Sequence, residues 1–261
     1  MKVVVKIGGA ALDDAVLTGR CVRAVVKLAA AGHRVAVVHG GGASLTRLLS
    51  RLGKESRFVN GLRVTDAETR DAALMVLAGR LNKELAAAIQ SAGRPAFGLC
   101  GGDGGAFKAR KLQTDGGELG FVGEISAVDG RWIELLWANG GVPVISSLAL
   151  GPDGQYYNVN ADQMAAACAA GCKADALVFL TDVAGVKGAD AAVIGSLSAA
   201  RIPGLVAAGI IRGGMLPKLK ACGDALAGGV ASVRILPAAA VEAVSRLGEG
   251  AIEVGTEVTA A

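Results

Sequence analysis

The chain opens Met1-Lys2-Val3-Val4-Val5-Lys6-Ile7-Gly8-Gly9-Ala10-Ala11, an apolar run, a lysine and a glycine turn. β-Branched residues favour a buried strand, and paired glycines let the backbone turn sharply and expose its N–H groups. Amides in a turn that leads into a helix, reinforced by a nearby ammonium, favour an anion, with phosphate the obvious guest. Taken alone, the stretch fits a first strand with a solvated lysine and a flexible loop equally well. A second stretch tips the balance. Val35-Ala36-Val37-Val38 repeats the strand, His39-Gly40-Gly41-Gly42 repeats the turn, and residues 43–52 read as a helix with Leu45, Leu48, Leu49 and Leu52 on one face. Ligands of an open parallel sheet bind beyond the carboxyl ends of its strands, so both turns are expected to open on one crevice.

Length and composition suit one large α/β unit or two lobes. The 261 residues are 52% apolar and only 3% aromatic, with a net charge of +4 spread along the chain rather than gathered in a run. Stacking platforms for bases are therefore scarce, and no nucleic-acid partner is expected. Phosphorylated small molecules fit better. Five cysteines, Cys21, Cys100, Cys168, Cys172 and Cys222, form no C-x-x-C motif and read as buried core residues of a reducing compartment. Cys168 and Cys172 share a helix face, but two histidines are too few to complete a metal site around them, so no protein-bound metal is expected. Lys6 and the glycines interrupt the first apolar run well short of a signal sequence, and no stretch is long enough to span a membrane. A soluble, cytoplasmic protein is the expectation.

Along the chain, residues 13–31 read as a helix, and residues 57–64 as a hairpin turning at Asn60-Gly61. Thr65 and Glu68 have capping-box spacing and are read as opening a long helix that runs to about residue 91. Strands are predicted at 96–100, 121–128, 142–146, 176–180, 231–235 and 252–254. Helices are predicted at 132–139, from 161 through 172, and at 203–208, 216–227 and 238–247. Strand and helix alternate throughout, which points to a mainly parallel open sheet covered on both faces, a three-layer αβα sandwich. A boundary near residues 172–174 divides an N-terminal lobe, 1–173, from a C-terminal lobe, 174–261. The chain has no Walker-type phosphate loop, no dinucleotide fingerprint and no nucleophile elbow. Phosphoryl transfer remains compatible, because its catalysis is mainly positioning and charge stabilisation.

Five segments in order, Lys6-Ile7-Gly8-Gly9, His39-Gly40-Gly41-Gly42, Asn60-Gly61-Leu62-Arg63-Val64-Thr65, Asn158-Val159-Asn160-Ala161-Asp162-Gln163 and Gly213-Gly214-Met215-Leu216-Pro217-Lys218, resemble the amino acid kinase family. Asn60 to Thr65 and Asn158 to Gln163 resemble in particular its branch that phosphorylates the side-chain carboxylate of N-acetyl-L-glutamate in arginine biosynthesis. The resemblance implies ATP as donor, with Mg²⁺ held mainly by phosphates and water. It implies catalytic roles for Lys6, Asp162 and Lys218, the two lysines neutralising the moving phosphoryl group and Asp162 holding them in place. Gly41, Gly42, Arg63 and Asn158 would bind the acid, and Gly41 would also join Gly8 and Gly9 in supplying backbone amides to the phosphate groups. Gly8, Gly9, Asp182, Val183, Ala184, Gly185, Val186, Lys187, Ile210, Ile211 and Arg212 would bind the nucleotide. Members inhibited by arginine carry an extra N-terminal helix, whereas this sequence starts at its first strand. The resemblance therefore implies a homodimer on the helix at 66–91 that is insensitive to arginine. Kinases of acetyl-aminoadipate or carrier-bound aminoadipate, and a non-catalytic nucleotide binder on the same fold, are the alternatives.

Overall fold

The protein is described from a computed structural model, which covers residues 1–114, 117–247 and 253–260. Strand β1 (Lys2–Ile7) is buried from Val3 onward and turns at Gly8 into a short helix, α1 (Gly9–Asp13). Helix α2 (Ala15–Ala30) follows as a separate element, because the Asp14 carboxylate accepts the amides of Val16 and Leu17 and starts a new helix. Strand β2 (Arg34–His39) leads through the second glycine turn into α3 (Gly42–Arg51). Leu45 and Leu49 of α3 are buried, whereas Leu52 lies past the helix end and is 67% exposed. Strands β3 (Phe58–Val59) and β4 (Leu62–Arg63) form the expected hairpin, with Asn60 and Gly61 both at positive φ as a primed turn requires.

The next helix is capped differently from the sequence expectation. Asp66, not Thr65, opens α4 (Ala67–Ala73) by accepting the Thr69 amide at 2.9 Å. Thr65 is unavailable because its backbone pairs with Leu119 and Phe121, and its hydroxyl donates to the Arg63 carbonyl. The helix then widens into a π-helical segment, Leu74–Leu81, before α5 (Asn82–Ser91) completes it. Strand β5 (Ala96–Leu99) follows. Strand β6 (Phe107–Lys111) was not expected, since its outward lysines and arginine mask the inward Phe107 and Ala109.

Strand β7 (Val122–Val128), helix α6 (Arg131–Ala138), and strands β8 (Val142–Ser146), β9 (Leu148–Leu150) and β10 (Tyr156–Val159) come next. Helix α7 (Ala161–Gly171) and strand β11 (Ala176–Thr181) precede β12 (Ser196–Ser198), α8 (Ile202–Ala207), α9 (Met215–Ala227), β13 (Ser232–Pro237) and β14 (Thr256–Thr259). A 3₁₀ helix, Ala238–Arg246, occupies the last predicted helical stretch. The closing strand falls at β14 rather than at 252–254, where Ile252 lies outside the described residues.

Eight strands form one sheet in the order β12-β14-β13-β11-β1-β2-β8-β5, parallel except where β13 meets β14. Alternation along β1 sends Val4 into one core layer, with Phe179, Met164 and Leu219, and Val3 and Val5 into the other, with Val25 and Ile89. That is the three-layer sandwich expected. Strict alternation of strand and helix does not hold between 107 and 159, where β6, β7, β9 and β10 close into a small barrel of their own. Among the described residues no helix is long and apolar enough to cross a membrane. All five cysteines are free and buried.

Candidate active site

The sheet register sets the site. Ile7 pairs with both His39 and Leu180, so β1, β2 and β11 end at one height and both glycine turns leave the same edge. Lys6 sits one residue before the end of β1, and Lys218 in the first turn of α9. Asp162 lies in the first turn of α7, where Asn160 caps the helix by accepting the amides of Asp162 and Gln163. Lys6 Nζ stands 2.8 Å from Asp162 Oδ1, and Lys218 Nζ donates to Asp162 Oδ2 at 2.9 Å. Lys218 also lies 5.1 Å from the centre of the Phe179 ring. Residues 6, 162 and 218, far apart in sequence, thus meet on one carboxylate.

This triad is 8%, 8% and 7% exposed, so its charges interact with little solvent between them. Burial pulls the Lys6 ammonium below the usual lysine range, helped by the Lys218 charge and opposed by Asp162. Burial alone would raise the Asp162 carboxyl, but the two ammonium groups outweigh it and hold the group below its ordinary value. Two cations against one anion leave the cluster with one net positive charge. An anion placed beside it would complete the neutralisation.

Two clefts open at this end of the molecule, one of them walled by Lys6 and Lys218. The first encloses about 620 Å³ and is lined by the glycine turn at 40–42, by Arg63, and by Ser147, Asn158 and Ala161, the residue before Asp162. Arg63 is buried rather than a surface hairpin residue. Its Nη2 donates to the Gly42 carbonyl at 2.9 Å and to Thr46 Oγ1 at 2.7 Å, its Nη1 donates to Ser56 Oγ, and its guanidinium covers the Phe58 ring at 4.7 Å. Burial lowers its pKa. Asn158 donates to Thr65 Oγ1 at 3.3 Å. Gly41 has φ 148°, and a Cβ there would lie 2.3 Å from Leu81, so no other residue fits that turn.

The second cleft encloses about 1010 Å³ and is lined by Lys6, Gly8, Gly9, Thr181, Asp182, Val183, Arg212, Gly214, Met215 and Lys218. Of the expected nucleotide residues it therefore gathers Gly8, Gly9, Asp182, Val183 and Arg212. The others stand apart from its walls. Val186 and Ile211 are buried in the core, the Val186 amide donates to Thr256 Oγ1, and a Cβ on Gly185 would strike Val193 and Thr256. Ala184 and Lys187 are exposed and Ile210 is half-buried. Sequence reasoning missed Thr181, Gly214 and Met215 on this cleft, and Ser147, Thr46 and Ser56 around the first. Gly214 and Met215 stood inside a matched segment. Thr46 and Ser56 carried no signal, because a hydroxyl that steadies an arginine looks like any surface hydroxyl.

Paired, buried ammonium groups on the wall of one cleft, with a second cleft beside it on the carboxyl edge of an open parallel sheet, define an α/β phosphotransferase. The profile of the amino acid kinase family matches residues 1–237, and the chain belongs to that family. It is 60% identical to the acetylglutamate kinase of Acidobacterium capsulatum over 260 residues, covering all of both chains. It is 58% identical to the acetylglutamate kinase of Koribacter versatilis, covering 100% of this chain and 99% of that one. Among solved structures, a protein from Streptococcus mutans superposes with a TM-score of 0.83 at 26% identity, covering 100% of this chain and 99% of the other.

Proposed function

We infer that the chain is an acetylglutamate kinase, transferring the γ-phosphoryl group of ATP to the side-chain carboxylate of N-acetyl-L-glutamate. The observation that carries the reading is the Lys6–Asp162–Lys218 cluster, two buried ammonium groups on one carboxylate, with both lysines on the wall of the second cleft. The acid occupies the cleft at Gly41, Gly42, Arg63 and Asn158, and the triphosphate lies over Gly8 and Gly9. A carboxylate oxygen attacks the γ-phosphorus, the bond to the bridging oxygen breaks, and ADP leaves with the electron pair. An acyl phosphate results. No base is needed, since a side-chain carboxylate with a reference pKa of about 4.3 is already ionised at neutral pH. Lys6 and Lys218 approach the equatorial oxygens from β1 and α9, and Asp162 keeps the two cations from separating.

Mg²⁺ fits as a cation brought in by the nucleotide. Among the described residues no group of three or more His, Cys, Asp or Glu gathers to hold a metal, and Asp182 lines the same cleft as Lys6. The ion would neutralise phosphate oxygens, with water completing its shell. On this reading the division at 173/174 puts the acid cleft in the first lobe, while the nucleotide cleft is shared, Gly8 and Gly9 coming from the first lobe and Asp182, Val183 and Arg212 from the second.

The test incubates the protein with ATP, Mg²⁺ and hydroxylamine and measures the trapped hydroxamate. N-acetyl-L-glutamate gives product. N-acetyl-aminoadipate, longer by one methylene, is slower by about 10- to 200-fold in kcat/KM. A protein that gives no hydroxamate from N-acetyl-L-glutamate does not have this function.

A further inference from the structure

His39 and Asn82 lie outside every role assigned above, yet both are fully buried and polar. His39 Nδ1 is 2.8 Å from the Gly40 carbonyl, and Asn82 Nδ2 is 3.0 Å from His39 Nε2. A carbonyl only accepts, so Nδ1 carries the proton and Nε2 accepts from Asn82. The Asn82 amide is oriented in turn by the Val144 carbonyl at 2.9 Å, and Lys83 Nζ donates to its Oδ1 at 3.3 Å. The relay Lys83, Asn82, His39, Gly40 runs one way, from α5 toward the glycine turn, while Val144 anchors the Asn82 amide from the side. Burial pushes the imidazole down to about 4, against the pull of the Gly40 carbonyl, so His39 is neutral near pH 7.

The consequence at the turn follows from peptide geometry. In a planar trans peptide the C=O and the following N–H point in opposite directions. His39 draws the Gly40 carbonyl toward itself, so the Gly41 N–H is directed away from His39, and it finds no acceptor among the described residues. Gly40, Gly41 and Gly42 all line the first cleft. The same helix grips the turn a second time, since Leu77 and Leu81 of the π-helical segment stand where a Gly41 Cβ would be. Gly98 completes the arrangement. It adopts no positive φ, yet a Cβ there would lie 2.1 Å from Asn82 Oδ1, so the glycine makes room for the asparagine.

We propose that His39 and Asn82 are positioning residues of the acid cleft, locking the Gly40 carbonyl inward so that the Gly41 amide is aimed at the bound substrate. The inference rests on the reading that N-acetyl-L-glutamate occupies this cleft. It predicts an effect on the KM of the acid that is separate from the nucleotide.

Steady-state kinetics on the full chain test it, with thermal melts to verify folding. Asn82→Leu and His39→Leu each raise the KM for N-acetyl-L-glutamate by about tenfold, the worth of one hydrogen bond, with the KM for ATP unchanged. His39→Asn keeps a donor at the Nδ1 position and restores most of the affinity lost in His39→Leu. Gly98→Ala, which touches neither cleft, displaces Asn82 and raises the same KM. Should Asn82→Leu fail to fold, Gly98→Ala and the His39 pair decide the matter. Equal effects on both substrates, unmoved acid KM values, or a His39→Asn no better than His39→Leu would overturn the proposal. Wild type that gives no acyl phosphate refutes the functional reading, whereas active wild type with unmoved variants refutes this inference alone.

Discussion

Lys6 and Lys218 share Asp162, and that sharing makes loss of either lysine different in kind from loss of the carboxylate. Removing either ammonium, as in Lys6→Met or Lys218→Met, is expected to lower kcat by about 100- to 1000-fold, the cost of one donor aimed at transition-state charge. Each of these variants keeps a neutral ion pair in the site. Asp162→Asn leaves two buried cations facing each other, so it is expected to lose activity and also to destabilise the fold by about 3 to 5 kcal/mol, as removing one member of a buried pair does. Denaturant unfolding read beside kcat separates the two cases, and an Asp162→Asn protein as stable as wild type would count against the organising role. Lys6 also predicts a pH dependence. It acts as an ammonium, and its pKa is lowered chiefly by burial, so kcat/KM for ATP falls on the alkaline side at a pH below the ordinary lysine value. Bound phosphates favour the charged form, so the limb in kcat lies at higher pH. Limbs in the reverse order would contradict this placement.

At the level of elements, the two glycine turns and the Asn60-Gly61 hairpin were legible because each rests on a local rule. β-Branched runs buried on both faces announced the strands, and left-handed φ at Asn60 and Gly61 follows from the residue types. What escaped the sequence depends on distant partners. The helix begins at Asp66 because residues 119–121 occupy the backbone of Thr65. The π-helical segment has no composition of its own, and it carries Leu77 and Leu81 against Gly41. The triad was read through a resemblance; periodicity alone cannot bring residues 6, 162 and 218 together. His39 gives the element scale its own test. Its folded pKa of about 4 lies below the unfolded reference of 6.5, so between these values the unfolded chain binds more protons. The sign follows: its contribution is full above pH 6.5 and is lost as pH falls toward 4, on the order of 3 kcal/mol in all. Unfolding free energies of wild type and His39→Asn, each measured at pH 7 and 4.5, isolate this share from the titrating carboxylates. A wild type that loses no more than the variant would mean that His39 is not buried neutral.

For the whole molecule, the helix from Ala67 to Ser91 joins the acid cleft to the outer surface. Its π-helical segment turns Leu77 and Leu81 inward against Gly41 while Met75 stands 68% exposed on the opposite side, between Ala72 and the half-buried Ala78. We propose a homodimer on this face, Met75 of one copy packing against the same helix of the other. Burial of Met75 against its counterpart would steady the segment that seats the glycine turn, so association and acid affinity are expected to move together. Sedimentation equilibrium should give twice the mass of one chain for wild type and a single chain for Met75→Glu, since like charges meet across a two-fold axis. In the monomer the KM for N-acetyl-L-glutamate should rise while that for ATP holds, because no residue of this helix lines the cleft of Gly8 and Gly9. A Met75→Glu protein that stays dimeric places the interface elsewhere, and a monomer with unchanged acid affinity uncouples the helix surface from the site.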